Sequence, residues 1–282
     1  MRLIVTRPLA QALSAVQELR ALGIDAHALP LIGIEPLADA GDPASRLSEG
    51  DAPGALRRCW ATLADRRLVM FVSANAVAHF FAAAGGAAWP GQTLAGSTGP
   101  GTSAALMAAG VPAHCLREPG PEAERLDSEA LWLRLRDLDW RGASVLIVRG
   151  EGGRDWLADT LRGAGARVEH VAAYRRTLPR LNEERAEVLA TAVADPAGHA
   201  WHFSSSEAVH NLPRLAPGGP WRTSFAMATH PRIGEAARSI GFTQVQVLPP
   251  GVQPLLQAWL ALRQRAVPDP SAKGASIQSR PL

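Results

Sequence analysis

Residues 145–179, VLIVRGEGGRDWLADTLRGAGARVEHVAAYRRTLP, decide the fold that the sequence predicts. The apolar, β-branched run Val145–Val148 predicts a buried strand, and the glycine-rich residues Gly150–Gly153 predict a tight turn. Apolar side chains recur at helical spacing over Trp156–Leu161, and a glycine pair after them is expected to end the helix. The alternating residues 168–174 predict a second strand. The stretch therefore predicts a complete strand–helix–strand unit.

The turn inside this unit is well suited to hold an anion. The first N–H groups of a helix have no intrahelical partner, and Arg149 and Arg154 flank the turn. The alternative is a plain turn of an α/β sheet with solvated arginines, because a single glycine-rich turn is weak evidence for binding. This stretch alone leaves both interpretations open.

Length and composition favour an ordinary globular protein with two domains. The chain has 282 residues, 47% of them hydrophobic and 20% charged, and a length of this order predicts two domains of roughly 120 residues. It opens on a strand-like run without the features of a signal peptide, and no apolar stretch approaches the length of a membrane span. Cys59 and Cys115 lie far apart without a C-x-x-C partner, which suits a reducing compartment. We therefore expect a cytoplasmic protein with no membrane partner.

Charge and residue usage argue against nucleic-acid and metal binding. The net charge is +3 and the sequence pI is about 9.5, but there is no lysine-rich run and aromatic residues make up only 5%. None of the eight histidines pairs with another at i,i+4 beside a carboxylate. We expect a monomer with a small-molecule substrate, without nucleic acid or metal.

Three pairs of similar segments indicate an internal repeat. Each member is a strand that leads through a polar or glycine-rich turn into a helix, and the pairs are 3–31 with 145–177, 69–77 with 201–209, and 95–110 with 226–241. Four of the helices are followed by a glycine in a similar setting, at Gly23, Gly110, Gly165 and Gly241. Self-similarity of this kind predicts two copies of one structural plan.

The order of these segments along the chain predicts two interleaved domains. Each would be a five-strand parallel sheet wrapped by helices, an α/β fold. The expected division is residues 1–35 and 178–265 for the first domain, 38–172 for the second, 32–37 and 173–177 for two linker strands, and 267–282 for a disordered tail.

The strand-to-helix turns supply the candidate binding residues. Ligands of parallel α/β sheets bind outside the carboxyl ends of the strands, where six such turns are expected to lie. They offer hydroxyls, amides, helix-start N–H groups and arginines, from Thr6, Arg7, Ser73, Ala74, Asn75, Gly99, Gly101, Thr102, Arg149, Gly150, Ser204, Ser205, Ser206 and Arg232. No phosphate loop, G-x-S-x-G elbow or complete dinucleotide fingerprint accompanies them. This set predicts a large polyanion held between two lobes, with no cofactor.

The order of these motifs resembles the uroporphyrinogen-III synthase family. The motifs are IVTRP, FVSANAV, TGPGT, VLIVRGEGGR, VAAYRRT and FSSSEAV, and the resemblance runs to about Trp259. It implies two interleaved flavodoxin-like domains joined by a two-stranded linker, the HemD-like architecture. It also implies a cofactor-independent lyase of heme biosynthesis, which cyclises linear hydroxymethylbilane with inversion of the last pyrrole ring to give uroporphyrinogen III. The eight carboxylates of that substrate fit the anion-holding turns.

Tyr174 is the only tyrosine of the chain. The resemblance implies that it assists departure of the substrate's hydroxyl, since a protonated phenol can donate a hydrogen bond. We expect it in a linker strand beside the cleft rather than deep in either sheet. The alternative is a hinge tyrosine that only packs its ring.

Two turns depart from the family pattern. Val72 replaces the threonine usual between Phe71 and Ser73, and the segment His230–Ile233 lacks the glycine and threonine of the expected turn. These changes put the contacts at both turns in question. A two-lobed binding protein for an acidic metabolite, with no turnover, is the alternative function, and a nucleotide-dependent enzyme is disfavoured by the missing phosphate loop.

Overall fold

The computed structural model describes residues 1–37, 52–120, 122–123 and 126–266. The predicted disordered tail, 267–282, lies outside these residues, as do residues 38–51 of the predicted second domain. In chain order the elements are β1 Arg2–Val5, α1 Leu9–Ala21, β2 Ala26–Ala28, β3 Gly33–Pro36, α2 Ala52–Ala61, β4 Leu68–Phe71, α3 Ala74–Ala82, β5 Leu94–Ser97, α4 Pro100–Ala108, β6 Leu116–Arg117, α5 Ser128–Leu135, β7 Ser144–Gly150, α6 Trp156–Gly163, β8 Arg167–Thr177, α7 Glu183–Ala194, β9 His199–Phe203, α8 Ser206–Leu215, β10 Phe225–Ala228, α9 Pro231–Ser239, β11 Gln244–Val247 and α10 Val252–Ala266.

The chain divides into two compact units. Unit 1 comprises Met1–Gly33 and the chain from Leu178 onward, and unit 2 comprises Ile34–Thr177. In unit 1 the strands lie in the order β11-β10-β9-β1-β2, and all of these pairs are parallel. In unit 2 the order β6-β5-β4-β7-β8 is again parallel throughout. The two strand orders are the same when β1, α1 and β2 are matched with β7, α6 and β8. This agreement confirms the internal repeat.

The sheet of unit 2 has six strands in the structure, where the sequence predicts five. The extra strand is β3, which is hydrogen-bonded to β8 at the edge of the sheet. The strand β8 has 11 residues and runs past the end of its partner β7, and its opposite edge pairs with β3. Thr177 Oγ1 also donates a hydrogen bond to Glu35 Oε1 at 3.2 Å.

The parallel sheets are covered on both faces, as their near-continuous apolar strands require. In unit 1 one face packs Leu3, Val16, Leu19 and Trp259. The other face carries an aromatic cluster in which Trp201 meets Trp221 edge to face, with ring centroids 5.4 Å apart. In unit 2 the two layers are a cluster around Phe71, Phe80 and Trp60 and a cluster around Leu131, Trp140 and Leu161.

The helix ends agree with the repeat as well. The four glycines predicted to follow α1, α4, α6 and α9 all have positive φ, at 78° for Gly23, 94° for Gly110, 96° for Gly165 and 110° for Gly241. A residue without Cβ adopts this conformation at little cost, which ends each helix where the sequence predicts.

Candidate functional site

Three strand-to-helix turns of unit 2 lie at one edge of its sheet. In the parallel registers Phe71 is opposite both Val148 and Ser97. The turns that follow β4, β5 and β7 therefore leave the sheet side by side, each just before a helix. The predicted residues Ser73 and Gly99 lie in the first two of these turns, and Arg149 lies at the end of β7 just before the third.

A hydrogen bond joins Ser73 to Tyr174. The Ser73 Oγ and Tyr174 hydroxyl oxygens are 3.0 Å apart, and either can be the donor. Ser73 Oγ also accepts a hydrogen bond from the Ala76 N–H at 3.2 Å and so caps α3. The cap thus fixes the serine oxygen, and the serine in turn orients the phenol.

Tyr174 lies deeper than predicted. Its side chain is fully buried, whereas the sequence analysis placed it beside the cleft rather than deep in a sheet. The ring stacks on His79 with centroids 5.8 Å apart and an interplanar angle of 23°. The missing side chain at Gly150 provides the remaining space, because a Cβ there would lie 2.9 Å from Tyr174 Cε2. This depth was not predicted, because an open position on an adjacent strand is not visible in the sequence around Tyr174.

A cavity of about 320 Å³ is lined in part by Tyr174. Its lining includes the arginines at 149, 154 and 176, the backbone of Gly150–Gly153, and the apolar side chains of Val72 and Leu126. Val72 and Leu126 are 38% and 49% exposed. The acidic residues Asp127 and Glu151 share this lining, so the cavity suits a ligand that has both charged and apolar parts.

Arg149 already has an anionic partner. Its Nη1 donates to Asp155 Oδ1 at 2.7 Å, and this hydrogen bond is the main reason that the pKa of Asp155 lies below its ordinary value. His170 Nε2 is 3.4 Å from the same oxygen. Burial, and then the charge of Arg149, lower the pKa of His170. Arg154 is paired with Glu129 at 3.1 Å.

The turn that begins α4 differs from the turn at Ser73. Its N-cap residue Gly99 has no side-chain cap, and the Thr102 side chain is 9% exposed. Behind it, Ser97 Oγ and Ser103 Oγ lie 2.7 Å apart, and Ser103 donates to the Glu118 carboxylate. Sequence reasoning missed Ser103 and Glu118, since neither belongs to a turn motif.

In unit 1 the turn after β1 places its two predicted residues differently. The Thr6 side chain is fully buried, and its Oγ1 donates to the His202 carbonyl at 2.7 Å. This hydrogen bond stabilises the β1–β9 pairing. Arg7 is partly exposed at the sheet edge, and burial lowers the pKa of its guanidinium. Helix α1 begins after Pro8 without a side-chain cap.

The other two turns of unit 1 are capped. Ser205 Oγ accepts from the Glu207 N–H at 3.2 Å and begins α8, with Ser204 and Ser206 partly exposed beside it. His230 Nδ1 accepts from the Arg232 N–H at 3.2 Å and begins α9. His230 thus supplies the cap at the turn that departs from the family pattern, and the Arg232 side chain is exposed.

Sequence reasoning also missed His202. Its side chain is 6% exposed, and neither ring nitrogen has a hydrogen-bond partner among the described residues. Burial, assisted by the charge of Arg7, lowers the pKa of His202 to about 4. The one signal in the sequence is that His202 stands between the apolar strand residues Trp201 and Phe203.

The structure thus groups the predicted residues by unit. Unit 2 brings Ser73, Arg149, Gly150 and Tyr174 together, with Ala74 and Asn75 in the first turn of α3 and the 99–102 turn at the next strand. Unit 1 carries its own set at Thr6, Arg7, Ser204–Ser206 and Arg232. In the part of the chain that the structure describes, no group of three or more His, Cys, Asp or Glu side chains could hold a metal ion. No helix within the described ranges has the length and apolar character needed to cross a membrane.

The fold and these turns define a class of protein, a two-unit parallel α/β protein with hydroxyl groups, helix-start N–H groups and arginines at its strand ends. The family model of uroporphyrinogen-III synthase HemD matches residues 14–255. A uroporphyrinogen-III synthase of Salmonella typhimurium strain LT2 is 34% identical over 179 residues, which cover 62% of this chain and 65% of that protein. The matched region is thus slightly less than two thirds of the relative's length. The chain belongs to the uroporphyrinogen-III synthase family.

Two solved structures share the fold. A mutant uroporphyrinogen III synthase from the extremely thermophilic bacterium Thermus thermophilus aligns with a TM-score of 0.53 and 18% identity, over 94% of this chain and 100% of that chain. Uroporphyrinogen-III synthetase from Helicobacter pylori 26695 aligns with a TM-score of 0.56 and 14% identity, over 93% and 100%. At these identities the likeness concerns the α/β architecture.

Proposed function

We propose that this chain is an active uroporphyrinogen-III synthase, which cyclises hydroxymethylbilane with inversion of the last pyrrole ring. The observation that carries the proposal is the Ser73–Tyr174 hydroxyl pair beside an arginine-lined cavity, in a chain of this family. Hydroxymethylbilane presents eight carboxylates and four flat pyrrole rings. The cavity offers cations for the carboxylates and Val72 and Leu126 for ring faces.

In the proposed reaction the bond between the hydroxymethyl carbon and its oxygen breaks first. The nitrogen lone pair of the adjacent pyrrole expels the hydroxyl oxygen and leaves an azafulvenium ion, while that oxygen takes a proton from the Ser73–Tyr174 hydroxyl pair and departs as water. The proton that the pyrrole loses later in the cyclisation returns to the pair. A hydrogen-bond donor at this oxygen lowers the barrier, because negative charge develops there in the transition state. The substrate itself supplies the electrons for this step, so the proposal includes no cofactor.

Ser73 is the group that reaches this oxygen in our proposal. Ser73 is partly exposed, whereas Tyr174 is fully buried and lines the cavity beside it. The phenol donates to Ser73 Oγ, which frees the serine proton for the leaving oxygen. Tyr174 is then a positioning residue that acts through Ser73, a refinement of the direct role that the family resemblance implies.

The carboxylates are proposed to bind at the strand-end turns. Arg149 and Arg7 supply charge, and the uncapped starts of α1 and α4 supply N–H groups. The serines at 204–206 and the guanidinium of Arg232 add donors at the remaining turns. The proposal extends to a cytoplasmic monomer, and gel filtration tests the oligomeric state.

Product analysis tests the proposed function. The protein is mixed with freshly generated hydroxymethylbilane, the macrocycles are oxidised, and the isomers are separated by chromatography. An active synthase yields the type III isomer. A binding protein without turnover leaves the type I isomer that forms spontaneously.

A further inference from the structure

Asp155 lies between two basic side chains of unit 2. Its Oδ1 is 2.7 Å from Arg149 Nη1 and 3.4 Å from His170 Nε2. The Asp155 side chain is 50% exposed, whereas those of Arg149 and His170 are 20% and 21% exposed. The carboxylate is therefore the member of the three that has room to move.

The carboxylate of Asp155 is not used to cap its own helix. Asp155 is the N-cap residue of α6, a position where aspartate normally accepts a hydrogen bond from the first turn, yet its side chain makes no such bond. Two glycines with positive φ precede it by two and three residues, Gly153 at 145° and Gly152 at 76°. Asp155 itself has φ −96° and ψ 4°, outside the extended conformation usual for an N-cap, and its carboxylate pairs with Arg149.

His170 is incompletely satisfied in this arrangement. Its Nε2 is buried and has no hydrogen-bond partner among the described residues, because 3.4 Å from Asp155 is too far for a good hydrogen bond. The charged groups that act on the ring are Arg149, Asp155, Arg162 and Asp159, and burial together with Arg149 keeps its pKa low. A small displacement of Asp155 toward His170 would give His170 Nε2 a hydrogen-bond partner.

We propose that Asp155 is a resident counter-ion that a substrate carboxylate displaces from Arg149 onto His170. The identity of the incoming carboxylate rests on the proposed function. No covalent bond changes, and His170 takes up a proton from solvent when Asp155 arrives. Arg149 is then paired in both states, which avoids leaving a partly buried guanidinium without an anion.

This exchange gives Asp155 a role in specificity. An anion with one carboxylate must compete with a tethered aspartate and gains little from the exchange. A ligand with several carboxylates contacts the other cations of the cavity at the same time, so it can displace Asp155. The exchange therefore favours ligands with several carboxylates over ligands with one.

The experiment uses uroporphyrin III, the stable oxidised form of the proposed product, as the probe. The ¹H and ¹⁵N resonances of the His170 ring, assigned with a His170→Gln variant, are titrated with pH in the free and the bound protein. We expect binding to raise the pKa of His170 by about one unit, the low end of the effect of a nearby opposite charge. In Asp155→Asn this rise should disappear, and uroporphyrin should bind about two- to fivefold more tightly because no ion pair has to be broken.

Asp159→Asn is the matched control. It removes the same charge from α6, and Asp159 is already paired with Arg162 at 2.9 Å. In this variant the rise in the pKa of His170 should persist, and affinity should change by less than about 1.5-fold. Equal tightening in both variants would mean that only general repulsion had been relieved, which would contradict the exchange.

The remaining outcomes also decide the proposal. Uroporphyrin that fails to bind, or that binds without a change in the pKa of His170, overturns the exchange. A protein that shows the pKa rise but forms no type III isomer overturns the proposed function and leaves the exchange intact. Circular dichroism of each variant confirms that the fold is unchanged.

Discussion

The ring of Tyr174 occupies the space that a side chain at Gly150 would need, since a Cβ there would lie 2.9 Å from Cε2 and 3.0 Å from Cζ. Real Cβ atoms do not approach other atoms this closely. Gly150 therefore does more than shape a turn. It allows the tyrosine of one strand to lie across the backbone of the next and to reach Ser73.

Gly150→Ala should displace the Tyr174 ring and destabilise the protein. Overpacking of this kind costs roughly 1–3 kcal/mol, which denaturant unfolding can measure. Gly163→Ala is the control, because no atom lies within 4 Å of a Cβ there. In α6 that change should be neutral or stabilising by up to about 1 kcal/mol. A Gly150→Ala protein as stable as the wild type would contradict the packing described.

Tyr174→Phe keeps the ring and removes only the hydroxyl. We expect turnover to fall about ten- to a hundredfold, at or below the low end of general-acid effects, with substrate affinity little changed. The stability should fall by about 0.5–1.5 kcal/mol for the lost hydrogen bond. Rates of type III formation and denaturant unfolding measure the two effects.

Ser73→Ala, alone and combined with Tyr174→Phe in a double variant, tests whether Tyr174 acts on the substrate through Ser73 or whether the two hydroxyls contribute independently to turnover. If Tyr174 acts through Ser73, the double variant should be no slower than Ser73→Ala alone, because the phenol then has nothing to orient. Multiplicative losses in the double variant would argue for independent roles. If Tyr174→Phe has the turnover of the wild type, the side chain of Tyr174 has only a packing role.

His202 should make stability depend on pH. In the folded protein burial lowers its pKa to about 4, whereas in the unfolded chain the ordinary value is about 6.5. The unfolded state therefore binds the proton first as pH falls. The contribution of neutral His202 to the free energy of unfolding is fully present above about pH 6.5. It decreases by up to roughly 3 kcal/mol as the pH falls to about 4.

The free energy of unfolding of wild type and His202→Phe, measured at several pH values between these limits, checks this expectation. The difference between the two curves isolates His202 from the carboxylates that titrate in the same range. As the pH falls, the free energy of unfolding of the wild type should decrease more than that of His202→Phe. Parallel curves would show that His202 is not held neutral by burial.

Cofactor independence is a further expectation. The proposed chemistry draws its electrons from the pyrrole and its proton from hydroxyl groups, so activity should survive dialysis against a strong chelator. It should also need no added nucleotide. Loss of activity that one metal ion restores would contradict the mechanism.

The fold was largely accessible from the sequence because its signals are local and repeated. The stretch 145–179 predicted β7, α6 and β8, and the glycines after the helices predicted their ends. The repeat then predicted the same strand order in both units. The sixth strand of unit 2 was not accessible, since the pairing of β3 with β8 joins segments that lie far apart in the sequence.

The site was less accessible than the fold. Turn motifs predicted Ser73, Arg149 and Gly150 as neighbours at one sheet edge, where the structure places them. They could not predict that Tyr174 is buried, because its depth depends on the absent side chain of Gly150 on another strand. Nor could they predict that Asp155 pairs with Arg149, since aspartate before a helix ordinarily signals a cap.

The isomer ratio formed from hydroxymethylbilane tests the central claim most directly. Wild-type protein, the Tyr174→Phe variant and a protein-free control are compared under conditions where the spontaneous reaction is slow. We expect wild type to give predominantly the type III macrocycle, and Tyr174→Phe to give the same isomer more slowly. Type I product at the spontaneous rate with folded wild-type protein would contradict the account and would leave a binding protein for acidic metabolites.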